Sequence, residues 1–255
     1  MIRSLTARTV PLIEDALWEQ VTRHYLFMRG MTREESRRLR LMASDFLTRK
    51  HIVGAAGLEI TDLIRAQIAA QACILVLELG IDCYDNWQEI IVYPGHFRPQ
   101  REYTDAAGVV HTSRGILAGE AWLKGPVILA YQDIARPGDP DYQHAGHNVV
   151  IHEFAHKLDM LNGHADGYPP LHKGMSREGW RQSFMAAYLD FCQRADAGVE
   201  ELPMNSYAAE SPAEFFAVIS EAFFETPNLI QASYPQVYQQ LARFYRQNPL
   251  ARFNG

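Results

Sequence analysis

The sequence predicts an α+β fold, helices packed with a small mid-chain sheet in one unit, on three observations. Helix-compatible spacing of apolar residues fills 1–80 and returns from 148 to the end, β-branched runs are confined to the middle, and no long polar linker divides the 255 residues. The organisation this implies is a single unit over 1–255, mainly helical over 1–80, with the sheet and the later helices in 81–255; two closely docked subdomains are the alternative.

Each element has its own signal. Thr32 stands three residues ahead of Glu35, the capping-box spacing that starts a helix able to run to about Arg49. Thr61 opens the next. Leu63 to Leu79 is the most apolar stretch, but Arg65, Gln67, Gln71 and Glu78 interrupt it, so it reads as a helix buried in a globular core and not as a membrane span. After Gly80 come short β-branched runs, Glu89 to Pro94 and Pro126 to Tyr131, with strand character also over Gly108 to Leu117. Helices are expected near 148–162, 175–197, 211–225 and 227–246, punctuated by Gly163, Pro203, Pro212 and Pro227. The Phe and Tyr residues from Phe215 to Tyr245 fall at helical spacing and read as core.

Composition narrows the function classes. With 47% hydrophobic and 21% charged residues the chain is an ordinary globular one, which excludes disordered and fibrous classes. A net charge of -6 has the wrong sign for a broad phosphate-neutralising face, so no direct nucleic-acid partner is expected; the most basic stretch, Arg33 to Arg40, contains two glutamates and reads as a solvated helix face. Three widely spaced cysteines, no CxxC pair and no signal peptide point to a reducing, cytoplasmic setting.

The chemistry is concentrated in Val149 to Leu158, which contains His152-Glu153-Phe154-Ala155-His156 in an apolar, helix-compatible setting. Two histidines four apart stand one above the other on a helix face and can grip one Zn²⁺, and the adjacent Glu153 can serve as base to a water on that ion. Random placement gives such a pattern in about one chain in forty, so the context has to carry the argument. Lys157 is out of character for such a helix. His144, His147 and His164 read as residues of the Asp- and Gly-rich loops on either side of it.

A catalytic zinc needs a third protein ligand and an open position. The metzincin pattern fails, because Asp159 and Asn162 stand where its glycine and histidine belong. A glutamate on a later helix remains, with Glu210, Glu214, Glu221 and Glu225 as candidates. Glu214 has two readings of equal weight: in Ser211-Pro212-Ala213-Glu214 it completes a capping box, and among the surrounding aromatic residues it could be a buried ligand. Asp159 shares the face of His156 and could orient a ligand, but a solvent-facing salt bridge is the stronger reading.

Asn148 to Met160 (NVVIHEFAHKLDM), Tyr207 to Val218 (YAAESPAEFFAV) and Gly108 to Trp122 (GVVHTSRGILAGEAW) together resemble the Mlc titration factor A family of zinc-dependent peptidases, itself similar to the catalytic domain of anthrax lethal factor. The resemblance implies a zincin-like metallopeptidase fold and one Zn²⁺ per chain in a gluzincin arrangement. It implies metal ligation by His152, His156 and Glu214, a contact from His111, and a catalytic Tyr207 seven residues before the glutamate. It further implies an aminopeptidase-like activity on small peptides and an association with the glucose-phosphotransferase repressor Mlc. The acidic residue that lethal factor carries four positions after its zinc glutamate is Val218 here, so the surroundings of the metal differ. Glu120 could anchor a substrate α-amine, although a plain surface glutamate is the stronger reading, and endopeptidase action stays open.

The expected function is therefore zinc-dependent peptide hydrolysis, with Glu153 taking the proton of the attacking water and Tyr207 helping to stabilise the oxyanion. The strand Pro126 to Tyr131 could pair with an extended substrate. The rival is a non-catalytic regulator that sequesters a transcription repressor, its zinc structural or vestigial.

Overall fold

The fold is described by a computed structural model over residues 11–23, 25–95, 101–104, 110–113, 125–134 and 148–253, with 101–104 and 110–113 described as backbone. Helix α1 (Asp15–Thr22) leads to α2 (Arg33–Arg49), whose capping box is present: Glu35 N donates to Thr32 Oγ1 at 3.1 Å and Thr32 N donates to Glu35 Oε2 at 2.8 Å. A short strand β1 (His51–Gly54) precedes α3 (Asp62–Val76), which is buried on nearly every side from Ile64 to Val76. That burial explains why its apolar residues show no single face.

Strand β2 (Glu89–Tyr93) pairs in parallel with β1, Ile52 opposite Ile90. The backbone of β3 (Arg101–Thr104) and β4 (Val110–Ser113) forms a separate antiparallel ladder, Tyr103 opposite His111. Strand β5 (Val127–Ala130) pairs in parallel with β2 on the side away from β1, Ile90 opposite Val127, so the sheet order is β1-β2-β5. Ile52, Ile90, Val92, Val127 and Leu129 are buried, whereas Val53 is 42% exposed, so the alternation turns one face to the core. The sheet is thus not confined to the middle of the chain. Its first strand lies between two N-terminal helices and was missed because a four-residue strand offers too little periodicity.

A single turn α4 (Tyr131–Ile134) follows β5, and the His-Glu helix α5 (Val149–Asp159) starts at Asn148, whose Oδ1 accepts from Ile151 N at 3.0 Å. It ends in a tight turn at Met160–Asn162 and Gly163, whose φ of 109° only glycine adopts without strain. Next come α6 (Arg177–Asp196) and α7 (Pro212–Glu225), as the spacing predicts.

The helix expected over 227–246 is two helices, α8 (Pro227–Ser233) and α9 (Pro235–Tyr245). Pro235 is the reason: its ring and missing N–H end the preceding helix and start the next at its first position. The chain closes with α10 (Pro249–Phe253).

Helix α5 is fixed on its far side by aromatic packing, Phe154 lying against Phe46, Tyr84 and Trp87 with ring centroids 5.1–5.7 Å apart. Phe215, Phe216, Phe223, Phe224, Tyr234, Tyr238, Phe244 and Tyr245 are buried, as their spacing implies. The three cysteines are free thiols. Among the described residues no helix is long and apolar enough to cross a membrane.

Candidate metal centre

Helices α5 and α7 pack face to face, and the site forms where the middle of one meets the first turn of the other. The i, i+4 spacing puts the His152 and His156 rings 4.8 Å apart, inclined at 80°. Across from them, Ser211 caps α7 by accepting from Glu214 N at 3.2 Å, with Pro212 at the first helical position. The two readings of Glu214 separate here: its backbone N–H serves the cap, while its carboxylate points at the histidines. Glu214 Oε2 lies 3.0 Å from His152 Nε2 and 3.3 Å from His156 Nε2, and the two Nε2 atoms are 3.2 Å apart.

That triangle has the dimensions of a metal site. Neighbouring ligand atoms of a tetrahedral ion with bonds of about 2.0–2.1 Å are separated by about 3.3–3.4 Å. His152, His156 and Glu214 also form the one group of metal-capable side chains found among the described residues. Two imidazoles and a carboxylate are a donor set that suits zinc.

The electrostatics point the same way. Burial by itself would lower the His152 pKa, but hydrogen bonds to Glu214 and Glu221 outweigh it and push it up to about 10. Burial would raise Glu214, yet hydrogen bonds from both imidazoles hold it at about 2. Two carboxylates facing one imidazole create a place that demands positive charge, from a proton or a metal ion.

Glu153, half-buried, sits on α5 beside His152. Tyr207 belongs to a helical turn at Ser206–Ala209 and is 47% exposed, its ring 6.0 Å from that of His152. Burial of its hydroxyl, reinforced by the charges of Glu214 and Glu153, pushes its pKa up to about 12, so it remains a hydrogen-bond donor.

The other glutamate candidates diverge. Glu210 is exposed; Glu225 is buried and accepts from Asn148 Nδ2 at 3.0 Å; Glu221, also buried, lies on the far side of the His152 ring, Oε1 to Nδ1 2.7 Å. The sequence left Glu221 as one candidate among four, although its distance of seven residues from Glu214 already puts both on one face of α7.

Asp159 does not face solvent. It is fully buried and accepts from Gly167 N at 2.7 Å, and burial pushes its pKa up to about 7. The loop after α5 folds back over the carboxylate and supplies the Gly167 N–H as its donor, which replaces the expected salt bridge. Lys157 is also buried: its ammonium donates to Gly125 O at 2.9 Å and lies 5.2 Å from the Trp87 ring, which ties α5 to the segment entering β5. His164 is an exposed loop residue. The side chain of His111 on β4, together with Glu120, His144 and His147, lies outside the described residues.

Residues 2–246 match the glucose-regulated metallo-peptidase M90 family. Proteins named Mlc titration factor A from Yersinia pestis (strain Pestoides F) and Yersinia pseudotuberculosis serotype O:3 (strain YPIII) are each 40% identical over 220 residues, 86% of this chain and 80% of the relative. With the match covering nearly its whole length, and with a His-Glu helix opposite a buried glutamate, the chain belongs to the glucose-regulated metallo-peptidase M90 family.

Proposed function

We propose that the protein is a zincin-like, zinc-dependent peptidase in which His152, His156 and Glu214 hold the ion. The observation that carries this reading is the 3.0–3.3 Å triangle of His152 Nε2, His156 Nε2 and Glu214 Oε2 with Glu153 next to it. When bound, Zn²⁺ supplies a water with a pKa lowered to about 7 and polarises a carbonyl.

Glu153 accepts the proton of the attacking water and delivers it to the leaving amine nitrogen. Tyr207, protonated at working pH because its pKa is about 12, donates to the oxyanion. Strand β5 has β2 on one side and no strand on the other among the described residues, so an extended peptide can add along it as a further strand. Lys157 holds the entry to β5 against the metal helix through Gly125 O.

We take small peptides as the substrate class, with an aminopeptidase-like preference implied by the family resemblance, and the cytoplasm as the setting that the free thiols of Cys73, Cys83 and Cys192 favour. The name of the relatives supports a regulatory association with the repressor Mlc. It also favours a second reading, sequestration of that repressor without catalysis.

Glu153→Gln separates the two. It keeps all three metal-facing side chains, so zinc content stays at that of the wild type while hydrolysis of chromogenic amino-acid and peptide anilides falls about 10²–10⁴-fold. Activity that survives this substitution refutes the role of Glu153, and repressor capture that survives the loss of activity assigns the regulatory effect to binding.

A further inference from the structure

Only one of the two site histidines has its second nitrogen engaged among the described residues. His152 Nδ1 lies 2.7 Å from Glu221 Oε1, whereas His156 Nδ1 is buried without a hydrogen-bond partner there. The other oxygen of Glu221, Oε2, accepts from the backbone N–H of Asn148 at 2.5 Å, immediately before the metal helix begins. Glu221 is fully buried and Asn148 nearly so, and Asn148 in turn caps the helix through Ile151 N. One carboxylate thus grips both the ring of His152 and the first turn of the helix that carries it.

A neutral imidazole has one N–H, and whichever nitrogen keeps it cannot bind metal. We infer that Glu221 is a positioning residue of the metal centre: by accepting at both oxygens it keeps the proton of His152 on Nδ1 and fixes the ring, leaving Nε2 free to face Glu214 and His156. This rests on the proposal that His152 Nε2 is a zinc ligand. Carboxylates behind metal-bound histidines generally act this way; what this fold adds is the second acceptor bond, which ties the ring's orientation to the start of α5.

The chemistry admits no neutral replacement. An amide at position 221 has a single oxygen and must present its NH₂ group either to Asn148 N–H, donor against donor, or to His152 Nδ1. In the second arrangement the imidazole proton moves to Nε2, the nitrogen the metal needs.

The test measures zinc affinity by competition with a chromogenic chelator for wild type, Glu221→Gln and Glu225→Gln. Glu225 is a matched control, equally buried one turn further along α7, touching Asn148 Nδ2 with an oxygen that glutamine retains. Glu221→Gln is expected to weaken zinc about 10–100-fold, with Glu225→Gln close to wild type. Equal losses in both variants, or a folded Glu221→Gln protein with unchanged affinity, overturn the inference while leaving the zinc site standing. A wild type that takes up no zinc removes both.

A second measurement needs no variant. In long-range ¹H–¹⁵N spectra of the zinc-loaded wild type, the His152 ring must carry its proton on Nδ1, and a proton on Nε2 overturns the assignment.

Discussion

Replacing Glu214 by Gln removes the charge of its carboxylate while leaving its part in the helix cap untouched. The substitution preserves the shape of the side chain and the Ser211 cap, which uses only the backbone N–H of residue 214. What disappears is the charge facing two imidazoles at 3.0 and 3.3 Å.

The drop of the Glu214 pKa from 4.5 to about 2 measures how much the folded protein prefers the carboxylate over its neutral form. At 1.36 kcal/mol per unit this is about 3 kcal/mol, and the raised pKa of His152 expresses part of the same interaction, so it is not added. A depressed carboxylate stabilises the fold fully above its unfolded pKa and loses that contribution as pH falls through the folded value. At pH 7 the metal-free variant is therefore expected to unfold in urea with about 3 kcal/mol less stability, a gap that closes towards pH 2.

Zinc affinity, read by chelator competition, is expected to fall at least about 100-fold, because one of three donors and its charge are gone. A stability loss of about 1 kcal/mol or less, with zinc affinity unchanged, refutes the assignment.

Three further outcomes follow from the same geometry. Tyr207→Phe keeps the metal-facing side chains, so zinc affinity stays put while kcat falls by the equivalent of about 3 kcal/mol; an unchanged kcat removes Tyr207 from the reaction. Glu225, buried beside Glu221 with Tyr25 and Arg29 in its field, has a pKa raised from 4.5 to about 7. An acid raised by burial holds its proton more tightly when folded, so its contribution declines as pH rises between those values. Glu225→Gln should flatten urea-measured stability between pH 5 and pH 8 by about 2–3 kcal/mol, and an unaltered slope refutes the buried-acid assignment. Lys157→Ala leaves Gly125 O unpaired and a gap beside Trp87; a destabilisation of about 2–4 kcal/mol is expected in thermal or urea unfolding, and a cost below about 0.5 kcal/mol shows that the buried ammonium anchors nothing.

Local signals foretold the parts of this fold that local forces make. The Thr32 capping box, the aromatic spacing after Phe215 and the His152–His156 pair are short-range patterns that survive folding unchanged. Strand β1 and the break at Pro235 went unforeseen, one too short to carry a period and the other a single residue inside an otherwise helical pattern.

The sequence by itself determined that two histidines would share a helix face, with a glutamate next to the first of them in the chain, because residues four apart fall about 40° apart at 3.6 residues per turn. Spacing could not decide which distant carboxylate would meet them, although the family resemblance implied Glu214. Glu214, Glu221 and Glu225 share one face of α7, and only the packing of that helix against α5 sends the first to the two Nε2 atoms, the second to Nδ1 of His152 and the third to Asn148. The same burial turned Asp159 inward, where spacing favoured a solvent-facing salt bridge, and enclosed Lys157, because a loop or strand end closes over each and supplies a hydrogen-bond partner.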